Sequence, residues 1–204
     1  SKDLRVLKFG FFGDAVLEPK SALKRQVLAL VHKIVANAPV AYRIPYTTVV
    51  IKEAREMAPK TNGLHAPKHV LIFGLGEYTG GEGWIENPEG KKAPPVWNNS
   101  SLNGHVHDIH HQLLRMNTQK LHGVFPAVGR RFSIALFHRE EALKNATHME
   151  SLREYEFPFD NLHAISSATS SHVDNSITAA DYWEYSGNLF IRHHRQPRCA
   201  LFTP

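Results

Sequence analysis

The chain has 204 residues, 42% hydrophobic and 21% charged, which is enough for one domain with a substantial core. No apolar run approaches the roughly 20 residues of a membrane span, and the single Cys199 excludes an internal disulfide and a cysteine-based zinc site. The net charge of +5 is compatible with nucleic acid without establishing it. The opening SKDLRVLKFGFF lacks the features of a secretory signal, so we expect an intracellular protein, cytoplasmic or nuclear, with no membrane partner.

The first predicted element is a helix over residues 21–37. Its apolar residues recur at helical spacing, at Leu23, Val27, Leu30, Val31 and Ile34. Ser21 is the predicted N-cap, and Pro39 ends the helix. The sequence thus predicts an amphipathic helix that supports whatever follows.

Short segments rich in β-branched and aromatic residues come next, separated by turn-rich pieces. They are residues 46–51, 69–75, 83–86, 105–114 and 131–137. A second helix is predicted over 139–153, followed by a polar loop from about 160 to 185 and an extended basic end. One helix followed by many strands predicts a barrel or sandwich with helical support.

The stretch KLHGVFPAVGRRFSIALF (120–137) places Arg131 nine residues after His122, on what are predicted to be paired strands. Together with GLGEYTGGEGWIENPEG (74–90) and IPYTTVVIKE (44–53), it resembles the core of the 2-oxoglutarate/Fe(II) oxygenases. The branch it resembles most contains the ten-eleven-translocation and J-base-binding-protein enzymes.

This resemblance covers roughly residues 40–140 and implies a mainly β fold, a distorted double-stranded β-helix of the jelly-roll or cupin type. The expected organisation is a single domain with three parts. Residues 1–39 form an N-terminal strand and helix support, 40–140 form the barrel core, and 141–204 form a C-terminal helix, polar loop and basic tail. The resemblance also implies Fe(II) and 2-oxoglutarate as cofactors, with a nucleobase among the candidate substrates.

Such enzymes hold Fe(II) with two histidines and one carboxylate, two of them in a His-x-Asp or His-x-Glu turn. A distal arginine grips the far carboxylate of 2-oxoglutarate at two points. By resemblance, His122 corresponds to the later metal-binding histidine, Arg131 to the arginine and Ser133 to the hydroxyl that assists it.

The first metal motif is degenerate in this chain. In EMAPKTNGLHAPKH (56–69), the superposition puts Lys60 where the first histidine belongs and Asn62 where the aspartate belongs. No His-x-Asp or His-x-Glu occurs in residues 40–140. We therefore expect poor Fe(II) binding and weakened or lost catalysis, because an ammonium repels the metal and an amide oxygen is a weak ligand.

Other residues could rebuild a metal site, and this alternative stays open. His65 or His69 could join His122 with a carboxylate such as Glu77 or Asp108. More often, histidines at such positions are a solvated loop residue and a strand-start residue.

The histidines of GHVHDIHHQLL (104–114) are a second candidate metal cluster. His105 and His107 would share one strand face, and the adjacent His110 and His111 would face opposite sides of the strand. A half-exposed strand is the plainer interpretation. Three functions are therefore compatible with the sequence: an oxygenase with an unusual metal site, a non-catalytic nucleic-acid- or protein-binding module, or a barrel that binds a carboxylate through Arg131.

Overall fold

The structure, a computed structural model, describes residues 6–39, 42–54, 56–62, 67–92, 102–159, 181–186 and 189–194. Its helices are α1 (Ala22–Ala36) and α2 (Ala146–Glu154), with a short 3-10 helix at Glu140–Lys144. Strands account for most of the other regular structure, and all of the strand ladders are antiparallel in the part described. Among these residues no helix has the length and apolarity that crossing a bilayer requires.

Two sheets form the body of the molecule, with strands numbered in chain order. The large sheet runs, in spatial order, β2 (Ala15–Leu17), β1 (Val6–Phe12), β3 (Thr48–Glu53), β12 (Phe132–Phe137), β5 (His69–Leu75) and β9 (Leu114–Asn117). The small sheet runs β4 (Met57–Lys60), β10 (His122–Val124), β7 (Gly83–Glu86) and β8 (Gly104–His107). Two further strand pairs are β6 (Tyr78–Gly80) with β11 (Ala127–Gly129), and β13 (Asp181–Ser186) with β14 (Leu189–His194).

The chain passes back and forth between the two sheets, from β3 to β4 to β5 and later from β9 to β10 to β12. The order β3-β12-β5-β9 therefore faces the order β4-β10-β7-β8, which is the strand arrangement of a double-stranded β-helix. A Cβ atom added at Gly83 would lie 3.5 Å from both Ile109 and Leu114, so that face of the small sheet looks towards the large one. The predicted fold class, mainly β with a supporting N-terminal helix, is confirmed.

The main hydrophobic core lies between α1 and the outer face of the large sheet. Two overlapping apolar stripes run along this helix, and the predicted apolar face combined residues of both. The buried stripe consists of Leu28, Val31, Ile34 and Val35, whereas Leu23 and Leu30 are 69% and 48% exposed. Spacing alone could not distinguish the two, because both recur with helical period.

The predicted single strand over 105–114 was wrong. Strand β8 ends at His107 and β9 begins at Leu114, with a turn between them in which His111 has φ 59°. A regular strand cannot pass through that left-handed conformation. His110 and His111 therefore do not alternate as strand neighbours, and their rings lie 4.1 Å apart.

Both predicted helices are present, with one difference. The Ser21 side chain caps α1 by accepting a hydrogen bond from the Lys24 amide. The second helical segment is split at Asn145, whose side chain caps α2. Residues 181–186 form a strand rather than the end of a polar loop, while most of the loop expected at 160–185 lies outside the described residues.

His32 in α1 is held between Tyr46, which precedes β3, and Tyr155, which follows α2. Its Nε2–H donates to the Tyr155 carbonyl oxygen at 2.9 Å, so its Nδ1 accepts from the Tyr46 hydroxyl at 2.6 Å. Burial lowers the pKa of His32 below 6.5, and this outweighs the Tyr155 carbonyl and the Glu156 carboxylate, which raise it. The neutral imidazole is therefore part of the folded state.

We expect the contribution of His32 to the free energy of unfolding to be fully present above pH 6.5 and to decline below it. Below that pH the histidine of the unfolded chain binds a proton, whereas buried His32 of the folded chain binds it less readily. The slope from this group reaches at most about 1.4 kcal/mol per pH unit. Urea unfolding between pH 7.5 and 5 would measure it, and His32→Gln should flatten the curve. An equal slope in that variant would show that other buried histidines carry the effect.

Candidate functional site

Alternate residues of β12 face opposite layers. Ile134 and Leu136 are fully buried in the core beneath α1. Arg131, which immediately precedes the strand, and Ser133 therefore share the other face, which looks into the barrel towards the small sheet. The short apolar alternation in this segment thus positions an arginine inside the fold.

Arg131 is the most unusual residue of this interior. Its side chain is only 2% exposed, and its Nη1 donates to the Ala54 carbonyl oxygen at 3.2 Å. Its Nε and Nη2 are buried and have no hydrogen-bond partner. The adjacent Arg130, by contrast, lies at the surface and forms an ion pair with Glu53 at 3.2 Å.

Tyr78, which the sequence analysis missed, lies beside Arg131. The guanidinium carbon is 5.7 Å from the centre of the tyrosine ring, and the tyrosine is 6% exposed. Burial raises the pKa of Tyr78, although the nearby Arg131 opposes the shift. By normal geometry neither the Tyr78 hydroxyl nor Arg131 Nε and Nη2 has a hydrogen-bond partner, although Arg131 lies close enough to the phenol oxygen for a weak interaction that lowers the pKa of Tyr78.

Two glycines make room for this pair. A Cβ atom at Gly74 would clash with the Tyr78 hydroxyl, so the absence of a side chain lets that hydroxyl reach the inner face of β5. Gly81 has φ 74°, and a Cβ atom there would lie 3.0 Å from Arg131 Cδ. Ser133 is the cross-strand partner of Gly74, which puts its half-buried side chain next to the same spot.

The turn after β8 supports Tyr78 from its other side. The His110 ring lies 4.1 Å from the Tyr78 ring, and its Nε2–H donates to the Gly76 carbonyl oxygen at 2.9 Å. The Asp108 carboxylate accepts from the His110 amide at 2.8 Å. In the described structure, these two residues serve the aromatic packing around Tyr78.

His122 is buried, with 3% of its surface exposed, at the start of β10. It shares a strand face with Val124, the partner of Gly83, and so faces the barrel interior. Its Nδ1–H donates to the Lys120 carbonyl oxygen at 2.8 Å, which leaves the lone pair on Nε2. Burial lowers the pKa of His122, and the charge of Lys60 lowers it further against the effect of the Lys120 carbonyl.

Lys60 is the direct cross-strand partner of His122. Its side chain lies on the same face as that of His122, and it is exposed. Asn62 follows two residues beyond the end of β4, where its backbone amide donates to the Thr118 carbonyl oxygen at 2.9 Å. The imidazole of His122 is thus paired with the ammonium of Lys60, and the neutral amide of Asn62 lies two residues farther along the chain.

The alternative metal ligands are not brought to His122 in the described residues. His69 is exposed at the start of β5, Glu77 is exposed in the turn that follows, and Asp108 is in the turn after β8. His65 lies outside the described residues. The rings of His105 and His107 are 6.5 Å apart, but no group of three potential ligands forms anywhere in the part of the chain described.

The residues present fit one of the two implied cofactors. A carboxylate of 2-oxoglutarate fits the buried, unpaired donors of Arg131 and Tyr78. Fe(II) does not fit the positions of Lys60 and Asn62, which offer a positive charge and a neutral oxygen in place of a histidine and an anion.

No protein-family model matches the chain, and no curated protein matches it. Among solved structures, it is similar to the crystal structure of an oxidoreductase of the 2OG-Fe(II) oxygenase family from Burkholderia pseudomallei. The two share 13% sequence identity with a TM-score of 0.44, over 67% of this chain and 68% of that chain. This likeness is distant and does not indicate the function of the chain.

Proposed function

We propose that the chain is a relative of the 2-oxoglutarate/Fe(II) oxygenases that binds 2-oxoglutarate or a similar dicarboxylate on Arg131, with iron-dependent catalysis weakened or lost. The observation that carries the proposal is the buried guanidinium with two unpaired donor nitrogens beside the unpaired hydroxyl of Tyr78.

An unpaired polar group in a protein interior costs about 1–3 kcal/mol, and more when it is charged. A carboxylate would supply both the negative charge and the acceptor atoms that Arg131 lacks. The planar guanidinium can present two parallel N–H groups to one carboxylate, and Tyr78 can donate a third hydrogen bond. Ligand binding therefore offsets a cost that the free protein bears.

The proposed loss of iron-dependent catalysis rests on the side chains present at the expected metal-binding positions. His122 has the features of a metal ligand, because a carbonyl oxygen orients its ring and leaves Nε2 free of a proton. Its cross-strand partner is a lysine, however, and the aspartate position is occupied by Asn62. A facial site needs a second imidazole and an anion there.

Titration calorimetry with 2-oxoglutarate in metal-free buffer tests the proposal. Wild type should bind, and Arg131→Ala should weaken binding roughly tenfold or more, the loss of a charge-assisted hydrogen bond. Tyr78→Phe should weaken it by a smaller factor. Arg130→Ala, which removes the neighbouring exposed arginine, is the matched control and should leave binding unchanged. Absence of binding to wild type at millimolar ligand would contradict the proposal.

A second candidate function is nucleic-acid binding, including a nucleobase as ligand, and one observation favours it. Four exposed basic residues lie on or next to strands β4, β5, β9 and β10, namely Lys60, Lys68, Arg115 and Lys120. Lys68 and Arg115 lie close enough to His69 to lower its pKa, in addition to the larger effect of burial.

These basic residues could contact phosphates, and the interaction would weaken steeply with salt. Fluorescence anisotropy with a labelled single-stranded oligonucleotide distinguishes the two functions. Lys68→Glu with Arg115→Glu should abolish oligonucleotide binding and leave 2-oxoglutarate binding intact. Wild type that fails to bind the oligonucleotide at low salt removes this candidate.

A further inference from the structure

Arg131 and Lys60 are cationic residues on interior faces of the barrel, at different positions along its axis. Arg131 packs against Gly81, whose amide donates to the Pro126 carbonyl oxygen just beyond the Val124 end of β10. Lys60, on the neighbouring strand β4, pairs with His122 at the opposite end of β10. Since a strand rises about 3.3 Å per residue, the His122 and Val124 levels are about 7 Å apart.

The Lys60 end of the barrel contains no described acidic partner for this lysine. The ion pair between Arg130 and Glu53 lies outside the barrel, and no described carboxylate forms an ion pair with Lys60. The ammonium is thus free to meet an anionic group that enters the barrel.

We infer that Lys60 is the second anchor of the ligand, binding the carboxylate at the end opposite Arg131, so that the barrel holds an elongated dicarboxylate without a metal ion. This rests on the proposed function, since it requires the first carboxylate on Arg131. The lysine that makes the metal site unsuitable for a cation makes the same position suitable for an anion. A monocarboxylate could satisfy Arg131 but would leave Lys60 without a partner.

The inference predicts selectivity for two carboxylates on one chain. Glutarate and pentanoate share a five-carbon skeleton and differ in the second carboxylate, so they are the probes. By calorimetry in buffer containing a metal chelator, wild type should bind glutarate about tenfold or more tightly than pentanoate, the worth of one charge-assisted hydrogen bond. Lys60→Met should remove that preference and leave pentanoate binding unchanged.

Two further variants make the experiment specific. Lys60→Arg keeps the charge and should retain most of the preference for glutarate. Lys91→Met removes an exposed lysine outside the proposed site and should change the binding of neither ligand. Because Lys60 is exposed, its substitution leaves the core intact, and circular dichroism would verify the fold.

The outcomes separate this inference from the function on which it rests. Equal binding of both probes to wild type and to Lys60→Met would overturn the second anchor and leave carboxylate binding on Arg131 standing. Failure of wild type to bind either probe would overturn both. Loss of glutarate preference on adding chelator, with Lys60→Met unaffected, would show that a metal holds the second carboxylate and would also overturn the inference.

Discussion

The double substitution Lys60→His with Asn62→Asp is expected to raise the affinity of the barrel for divalent transition metals by at least about 100-fold. Three changes act in the same direction: a positive charge is removed, an imidazole is added and a negative charge is added. His122 needs no change, because its ring is already held by the Lys120 carbonyl oxygen with Nε2 free of a proton. Even outer partners of metal ligands are worth roughly 10–100-fold, so two ligands are worth more.

Cobalt(II) is the practical probe, since it favours the same nitrogen and oxygen ligands and does not oxidise as readily as Fe(II) does. Calorimetry should detect one tight site in the double variant and none in wild type. Adding His122→Ala to the double variant should abolish the gain, which shows that metal binds inside the barrel. Stoichiometric metal in wild type would mean that the true ligands include residues outside this superposition, with His65 and His69 the first to substitute.

Much of the barrel could be predicted because some strands carry their signal locally. The segments at 69–75 and 83–86 were predicted with the boundaries observed, since each is a short β-rich run between turn residues. The inward placement of Arg131 likewise follows from the alternation in β12.

The partners of Arg131 could not be predicted in the same way. Tyr78 meets His110 because the chain turns back after β8 through the left-handed conformation of His111, and no local pattern marks that turn. Tyr78 was visible in the sequence only as part of a Gly-rich turn motif. Its role depends on Gly74, which lies near the end of the buried strand β5 and leaves room for the hydroxyl of Tyr78. Contacts between segments far apart in sequence therefore determine the surroundings of Arg131 and Tyr78.

The second large effect concerns stability. Arg131→Met is expected to raise the free energy of unfolding of the ligand-free protein by about 1–4 kcal/mol, the range by which replacing buried ion pairs with apolar residues of similar volume can stabilise a protein. The reason is the same feature that suits Arg131 to a ligand: its Nε and Nη2 are buried without acceptors. The substitution removes these desolvated donors and sacrifices one hydrogen bond, to the Ala54 carbonyl oxygen. Methionine then fills the space with a flexible apolar chain.

Urea unfolding at pH 7.5 with and without 2-oxoglutarate measures both the stability of the free protein and its stabilisation by the ligand. Added ligand should stabilise wild type in proportion to the logarithm of its concentration above the dissociation constant, and should not stabilise Arg131→Met. Arg131→Ala is a poor substitute for the methionine variant, because it leaves a cavity whose cost hides the gain. Marked destabilisation by Arg131→Met would mean that the guanidinium is already satisfied in the free protein. An arginine that costs stability in the free barrel and recovers it on binding a carboxylate is instead retained for its ligand.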